Sequence, residues 1–311
     1  MASQHTYITG GSSGLGLALS LILTSQGAHV SIVGCRQEVL DKALEAMEKC
    51  RKYPNQILAG YAFDLSTAEG SASVLDAVCK PHDDHSPDAI FTCAGTQKPM
   101  FFMDMTENDM AEGMVQGYWI QAWTVMLAAK KMVREGSKGK IILVSSTLGY
   151  MSFLGWASYA PAKHALRGLA DTLQSEFMLY DNLDVHIFFP PAMFTPGFDQ
   201  ENTTKPRIVR EIESTDDGVT PEAAAQALLH GIKKGHAHIT ADMITTLFRA
   251  STRGVTPRHN ALLDIVYDIA AMICHAKQII RPIWRWGVDK RVRAHRAEHR
   301  QHLQDTGFFT P

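Results

Sequence analysis

The fold is decided by residues 6–26, which read TYITGGSSGLGLALSLILTSQ. A short run of β-branched and aromatic residues, Thr6–Thr9, comes first and is typical of a buried strand. A turn with four glycines follows at Gly10–Gly16, and the apolar pattern from Leu15 to Gln26 predicts a helix. Strand, glycine turn and helix in this order form the first half of a βαβ unit.

The same alternation continues through the first 190 residues. Further strands are predicted at His29–Val33, Gln56–Phe63, Ala89–Cys93, Lys140–Ser145 and Asp184–Phe189. Helical patterns lie between them at Gln37–Arg51, Thr67–Cys79, Asn108–Glu135 and Ser158–Tyr180. Because strands that alternate with helices favour a parallel sheet covered on both faces, we expect an α/β fold with a doubly wound parallel sheet. Such a sheet binds ligands beyond the carboxyl ends of its strands.

The glycine turn indicates a Rossmann-type binding site for a dinucleotide. The helix N-terminus offers free N–H groups and a positive dipole end to phosphates. Gly10 permits the tight turn, Gly14 lets the backbone approach a pyrophosphate, and Gly16 allows the helix to pack on the strand. The predicted phosphate-binding residues are Gly10, Ser12, Ser13, Gly14, Leu15 and Gly16.

The residues after the second strand indicate which dinucleotide binds. An NAD site has an acidic residue there for the ribose 2′-hydroxyl, whereas this chain has Gly34, Cys35 and Arg36. A guanidinium pairs with a 2′-phosphate through charge-assisted hydrogen bonds, so Arg36 favours NADPH/NADP+. The alternative is an Arg36 that faces solvent and binds no ligand. Further cofactor contacts are expected at Asp64 and Leu65 for the adenine, and at Ala94 and Gly95 for the ribose.

Three residues form a candidate catalytic set. Ser146 ends the fifth predicted strand, Tyr159 stands thirteen residues later, and Lys163 follows four residues after that. Residues four apart share a helix face, so the phenol and the ammonium should be neighbours. A fixed ammonium favours the phenolate, and we expect it to lower the pKa of Tyr159 toward the neutral range. Ser146 would then hydrogen-bond a substrate oxygen while Tyr159 exchanges a proton with it.

Together, Thr9–Gly16, Thr92–Gly95, Ser146, Tyr159 and Lys163 resemble the short-chain dehydrogenase/reductase family over roughly residues 5–200. The resemblance implies an NADP(H)-dependent oxidoreductase in which Pro190 and Thr195 lie near the nicotinamide. Tyr159 and Lys163 would also bind the cofactor, with Lys163 holding its ribose. The string FPPAMFTPGF at residues 189–198 is similar to the branch of the family that reduces the C3 ketone of 3-ketodihydrosphingosine to dihydrosphingosine. That branch implies a long-chain keto-amine lipid substrate and a place on the cytosolic face of the endoplasmic reticulum membrane.

The sequence departs from the family pattern at three positions. Gly117 stands in the middle helix where the family usually has an Asn that helps to hold a proton-relay water, so Gln116 or a backbone carbonyl would have to substitute. Thr92 replaces another Asn and is expected to change a scaffold hydrogen bond more than the chemistry. Cys35 stands where many NADP-dependent members have an arginine, which leaves Arg36 one residue late.

Two other functions stay open. A steroid or retinoid oxidoreductase would have the same fold and the same catalytic set. A non-catalytic NADP(H)-binding sensor or scaffold would need the nucleotide site alone, and an intact Ser146, Tyr159 and Lys163 argues against it.

A long-chain ketone needs an apolar groove beside the reacting carbon. Candidates for its lining are Met100–Met103, Met105, Trp119, Phe153, Leu154, Trp156 and the 192–213 loop, which would close as a lid. The alternative for each side chain is ordinary core packing. The substrate's C2 ammonium needs an acid or a carbonyl, and Asp199 and Glu201 are two of several candidates.

Composition narrows the classes of partner. The chain has 30 Lys and Arg against 32 Asp and Glu, and this near-neutral balance argues against nucleic-acid binding. The five cysteines form no CxxC pair and no zinc-binding spacing, so neither a disulfide framework nor a metal site is expected.

The last part of the chain has a different character. Residues 261–280 predict a helix with one broad apolar face, and residues 277–300 carry eight basic and two acidic side chains. An apolar face, tryptophans and clustered bases are typical of an interfacial membrane anchor. We therefore expect a catalytic domain at 1–255 and, at 256–311, a membrane-associating helical extension that contacts the membrane surface through 261–300. The alternative is a helix that packs on a partner subunit or on its own domain, and we also expect a homo-oligomer.

Overall fold

The computed structural model describes residues 4–206, 209–210, 213, 218–251 and 296–305. Within them, parallel strands form one sheet in the order β3-β2-β1-β4-β5-β6-β7. The strands are β1 (His5–Thr9), β2 (His29–Gly34), β3 (Leu58–Ala62), β4 (Ala89–Thr92), β5 (Gly139–Val144), β6 (Leu183–Phe189) and β7 (His238–Thr240). The predicted doubly wound α/β sheet is confirmed, with predicted strand ends correct to within two residues and β7 added at one edge.

Helices cover both faces of this sheet. They are α1 (Gly14–Gln26), α2 (Gln37–Lys49), α3 (Ala68–Cys79), α4 (Glu107–Met114), α5 (Ile120–Glu135), α6 (Ala160–Glu176), α7 (Pro196–Thr204), α8 (Pro221–Lys233), α9 (Met243–Ser251) and α10 (Arg296–Asp305). Successive side chains of a strand point to opposite faces, and β1 shows the result. Tyr7 packs in the cluster that includes Val78 and Leu166, while Ile8 packs in the one that includes Leu19 and Leu228.

β1 marks the place where the strand order reverses. Thr9, its last residue, pairs with Val33 of β2 on one side and with Thr92 of β4 on the other. The connection that leaves β1 and the one that leaves its neighbour β4 run toward opposite edges of the sheet, which opens a crevice beyond the carboxyl ends of the strands. The turn that follows β1 lies at this crevice, which is where the sequence predicts the ligand.

The helix predicted over Asn108–Glu135 is interrupted. α4 and α5 are separated by a π-helical turn at Val115–Trp119, whose extra residue per turn displaces the backbone. Gly117 lies buried within this turn, and a Cβ placed on it would be 2.5 Å from Cβ of Ala162. Close packing against α6 therefore requires a glycine at this position.

α6 also differs from its prediction at its first residue. It begins at Ala160 rather than at Ser158, with Tyr159 as the N-cap residue. Pro161 then falls in the first turn, where the missing N–H would have had no helical acceptor.

The predicted helix at 261–280 lies outside the described residues, as does most of the predicted tail, so the division at residue 255 stays a prediction. The described part of the tail is α10, which contacts the short turn Phe177–Leu179 that follows α6. In the ranges that the structure describes, no helix has both the length and the apolar character needed to cross a membrane.

Candidate active site

A cavity of about 510 Å³ lies beyond the carboxyl ends of the central strands. Its wall is built from the turn after β1, the segments that follow β4, β5 and β6, and the starts of α6 and α7. The predicted site residues that line it are Gly10, Ser13, Gly14, Leu15, Gly16, Ala94, Gly95, Ser146, Tyr159, Lys163, Pro190 and Thr195. The fold thus brings the predicted catalytic set and most of the predicted cofactor contacts to one place.

Four predicted cofactor residues do not line this cavity, namely Ser12, Arg36, Asp64 and Leu65. The Ser12 side chain faces the end of β2, since a Cβ placed on Gly34 would be 3.1 Å from Ser12 Oγ. Arg36 is exposed at the N-cap of α2. Asp64 accepts two hydrogen bonds from Ser66, and Leu65 is buried. Their contacts with the adenosine end of a cofactor stay a prediction.

The start of α1 fits a pyrophosphate group. Ser13 is the N-cap residue, but its side chain makes no capping hydrogen bond, so the first N–H groups of the helix have no side-chain acceptor at this cap. Gly10 and Gly14 have φ angles of 65° and 50°, a region that glycine adopts without strain. A Cβ on Gly14 would also come within 3.1 Å of Thr195 Cγ2.

Ser146, Tyr159 and Lys163 meet at one wall of the cavity. The carbonyl oxygen of Tyr159 accepts a hydrogen bond from the backbone N–H of Lys163 (3.1 Å), which stacks the two side chains one helical turn apart. Lys163 Nζ lies 5.2 Å from the centre of the Tyr159 ring and donates to the carbonyl oxygen of Val144 at 3.0 Å. Ser146 lines the same wall, and its Oγ accepts a hydrogen bond from the backbone N–H of Leu148 at 3.2 Å. The predicted set is therefore assembled in space.

The predicted lowering of the Tyr159 pKa is wrong for this structure. Burial raises the pKa of Tyr159, the Glu201 carboxylate raises it further, and the smaller effect of the Ser146 side chain lowers it. Burial also lowers the pKa of Lys163 to about 7, since its ammonium is desolvated. Burial is the largest cause of both shifts, and it disfavours the charged form of each group. At neutral pH the phenol keeps its proton, which is the state that a proton donor needs.

The departures from the family pattern have visible consequences. Gln116, one proposed substitute for the missing Asn, lines the cavity, and its amide donates to Glu112 Oε1 at 2.7 Å. Thr92 is fully buried and donates to Gln121 Oε1 at 2.7 Å, and the Gln121 amide donates to the carbonyl oxygen of Val144 at 2.8 Å. Thr92 thus makes a scaffold hydrogen bond and does not line the cavity.

A buried ionic cluster forms another part of the cavity wall. Glu201 and Glu213 line the cavity, and Nζ of Lys205 lies 3.5 Å from Glu201 Oε1 and 2.5 Å from Glu213 Oε2. The amide of Gln97 also donates to Glu201. Burial raises the pKa of Glu201. Sequence reasoning included Glu201 among several candidates but missed the cluster, for which the four-residue spacing of Glu201 and Lys205 was the available signal.

A second cavity, of about 770 Å³, adjoins the first. Its apolar lining includes the predicted groove residues Phe101, Phe102, Met103, Phe153, Leu154 and Trp156. Phe153 and Trp156 line both cavities, and Phe102 and Met103 are 62% and 90% exposed. Met100, Met105 and Trp119 were predicted to join this lining, but they line neither cavity, and Trp119 stacks on Trp123 with ring centres 4.6 Å apart.

Comparisons with known proteins place these features in a family. A 3-ketodihydrosphingosine reductase of Cryptococcus neoformans var. neoformans serotype D (strain B-3501A) is 42% identical over 306 residues, which cover 98% of this chain and 89% of the relative. A 3-ketodihydrosphingosine reductase of Aspergillus fumigatus is 30% identical, with 83% of this chain and 76% of the relative covered. One from Dictyostelium discoideum is 29% identical, with 90% and 86% covered.

The fold has close structural counterparts. The crystal structure of a short chain dehydrogenase/reductase from Burkholderia phymatum in complex with NAD aligns with a TM-score of 0.71 at 18% identity, covering 80% of this chain and 93% of that one. The model of the short chain dehydrogenase family matches residues 4–206. This chain therefore belongs to the short-chain dehydrogenase family and is an oxidoreductase with a nicotinamide cofactor.

Proposed function

We propose that this protein reduces the C3 ketone of 3-ketodihydrosphingosine to dihydrosphingosine, with NADPH as the reductant. The observation that carries the proposal is a Ser146–Tyr159–Lys163 set in a cavity that shares two aromatic walls with an apolar groove. The relatives that bear the name of this activity support the choice of substrate.

Each catalytic residue has a role that follows from its position. Ser146 donates a hydrogen bond to the ketone oxygen and orients it toward the Tyr159 hydroxyl. Tyr159 donates its proton to this oxygen as negative charge develops there, because burial keeps the phenol protonated until then. Lys163, fixed by Val144, stabilises the resulting phenolate. The cofactor, when bound, supplies the hydride to C3.

Cofactor binding is assigned to residues whose chemistry fits the parts of NADPH. The uncapped start of α1 would hold the pyrophosphate, and Ala94 and Gly95 would contact the ribose. Pro190 and Thr195 line the cavity where the nicotinamide would lie. Arg36, exposed after β2, would pair with the 2′-phosphate and give the preference for NADPH over NADH.

The second cavity would hold the alkyl chain of the substrate. Its apolar side chains begin at the two rings shared with the catalytic cavity and end at exposed residues such as Phe102 and Met103. An alkyl chain that enters there keeps its reacting end beside Tyr159 while its apolar surface leaves water.

The cellular setting is proposed from the sequence alone. The apolar and basic segment at 261–300 would contact the cytosolic face of the endoplasmic reticulum membrane, where a lipid substrate is available. We also propose from the sequence that the protein forms a homo-oligomer.

The test is the oxidation of NADPH, followed by its absorbance, with 3-ketodihydrosphingosine in detergent micelles and with NADH in parallel. We expect turnover with NADPH and a much slower rate with NADH. Turnover only on a steroid or retinoid ketone would contradict the choice of substrate. A folded protein that binds NADPH but oxidises it with none of these ketones would be a sensor rather than a reductase.

A further inference from the structure

Among the residues that the structure describes, the buried ionic cluster at the catalytic cavity has more negative than positive charge. Two carboxylates, of Glu201 and Glu213, share the single ammonium of Lys205. Glu201 is 4% exposed and Lys205 is 3% exposed, so bulk water does not screen these charges. A second cation that entered the cavity would complete the pairing.

The surroundings hold Lys205 away from the cavity and leave the carboxylates facing it. Lys205 Nζ lies 4.6 Å from the centre of the Phe198 ring and 5.4 Å from that of Trp156. Trp156 Nε1 donates to Glu213 Oε1 at 3.1 Å. Both glutamates line the catalytic cavity, whereas Lys205 does not. The cavity therefore has an anionic patch that is already in place.

The patch lies within electrostatic reach of the reacting group. The Glu201 carboxylate is the largest charged influence on the Tyr159 hydroxyl, after burial itself. In a 2-amino ketone the amine and the carbonyl are on adjacent carbons, so their binding groups must be neighbours. Because Glu201 lines the same cavity as Ser146 and Tyr159 and acts on the Tyr159 hydroxyl, it is available to an amine next to a carbonyl that these two residues hold.

We propose that Glu201, with Glu213 behind it, binds the C2 ammonium of the substrate and selects 2-amino ketones over ketones that lack the amine. This inference rests on the proposed function and names the group that recognises the substrate's head. Asp199, the other acidic candidate on α7, is exposed and does not line the cavity. The same helix therefore supplies a matched control.

The experiment compares kcat/KM for 3-ketodihydrosphingosine with kcat/KM for a ketone of the same chain length without the amine. In the wild type we expect the amino ketone to be preferred. Glu201→Gln should reduce that preference roughly 10- to 100-fold, mainly through the KM of the amino ketone, because a charge-assisted hydrogen bond is lost. Asp199→Asn should leave the preference unchanged, and NADPH binding should persist in both variants.

Each other outcome has a defined meaning. An equal loss on both ketones in Glu201→Gln would show a structural role and overturn the inference. If Glu201→Gln fails to bind NADPH, the Glu213→Gln variant is tested instead. An unchanged preference for the amino ketone in Glu213→Gln would overturn the inference. A wild type that reduces both ketones equally well overturns this inference alone, whereas one that reduces neither overturns the proposed function with it.

Discussion

Titratable side chains are buried at both ends of the sheet, but only those at the carboxyl ends of the strands lie beside a cavity. At the amino ends of the strands, the rings of His5 and His82 stack with centres 3.5 Å apart, and His29 meets His82 edge-on at 5.4 Å. Burial, with smaller effects from His82 and His29, lowers the pKa of His5 to about 3. At the carboxyl ends, burial lowers the pKa of Lys163 to about 7.

The two ends of the sheet differ in the surroundings of their buried titratable groups. His5 Nε2 meets Ser31 Oγ at 3.0 Å, and none of the three histidines lines either of the two cavities. Lys163 lines a cavity together with Ser146 and Tyr159. At both ends of the sheet the shifted pKa is a consequence of burial. Only the group that also lines a cavity, Lys163, can take part in a reaction there.

Removal of the proton donor should give the largest effect. Tyr159→Phe deletes the hydroxyl that faces the cavity beside Ser146 and keeps the ring that Lys163 contacts. We expect ketone reduction to fall by about 10²- to 10⁴-fold, with NADPH binding retained. The rate of NADPH oxidation and a titration of NADPH fluorescence measure the two effects. Unchanged turnover would remove Tyr159 from its assigned role.

Lys163 and His5 should each make the free energy of unfolding depend on pH, and each should do so over a different pH range. The folded protein releases the Lys163 proton near pH 7, whereas the unfolded chain keeps it to about 10.5, so this group makes stability rise with pH between those values. For His5 the corresponding range runs from about 3 to about 6.5. The slope for one proton is at most about 1.4 kcal/mol per pH unit.

Lys163→Met isolates the upper range. The free energy of unfolding, measured by urea denaturation, should differ from that of the wild type by a constant amount below pH 7. Above pH 7 the lysine of the folded wild type becomes neutral and its stability rises. The stability of the variant relative to the wild type should therefore fall. A difference that changes with pH mainly between 3 and 6.5 would mean that the two ends of the sheet are coupled.

Arg36→Ala should have a more moderate effect, confined to the cofactor. Loss of an ion pair with the 2′-phosphate should raise the KM for NADPH roughly tenfold and leave that for NADH unchanged. Lys42→Ala removes an exposed positive charge from the same helix and is the control. Equal changes for both cofactors would point to a solvent-facing Arg36.

The smallest effect is expected at the histidine end. Nε2 of His82 has no hydrogen-bond partner within the described part of the chain. His82→Phe keeps a flat ring against His5 and removes this unpaired atom, so stability at pH 7 should change by less than about 1 kcal/mol. kcat/KM for the ketone should be unchanged, and a loss of activity would contradict the separation of the two ends.

Local patterns predicted the sheet, the glycine turn and the catalytic set because each depends on residues that are close in sequence. The four-residue spacing of Tyr159 and Lys163 correctly predicted that their side chains are neighbours. The spacing says nothing about burial, which is the main cause of their pKa shifts. The π-helical turn was missed because an apolar pattern continues through it. Lys205 and Glu213 meet beside Trp156, which is distant from both in sequence, and no local pattern encodes that meeting.

The close approach of Gly117 to Ala162 also constrains how this sequence can evolve. On this backbone any larger side chain at 117, asparagine included, would overlap Ala162. Room for it arises only after Ala162→Gly, a step that by itself weakens α6 by about 1 kcal/mol. The two positions therefore form an epistatic pair, since a side chain at 117 needs a smaller residue at 162 to be in place first.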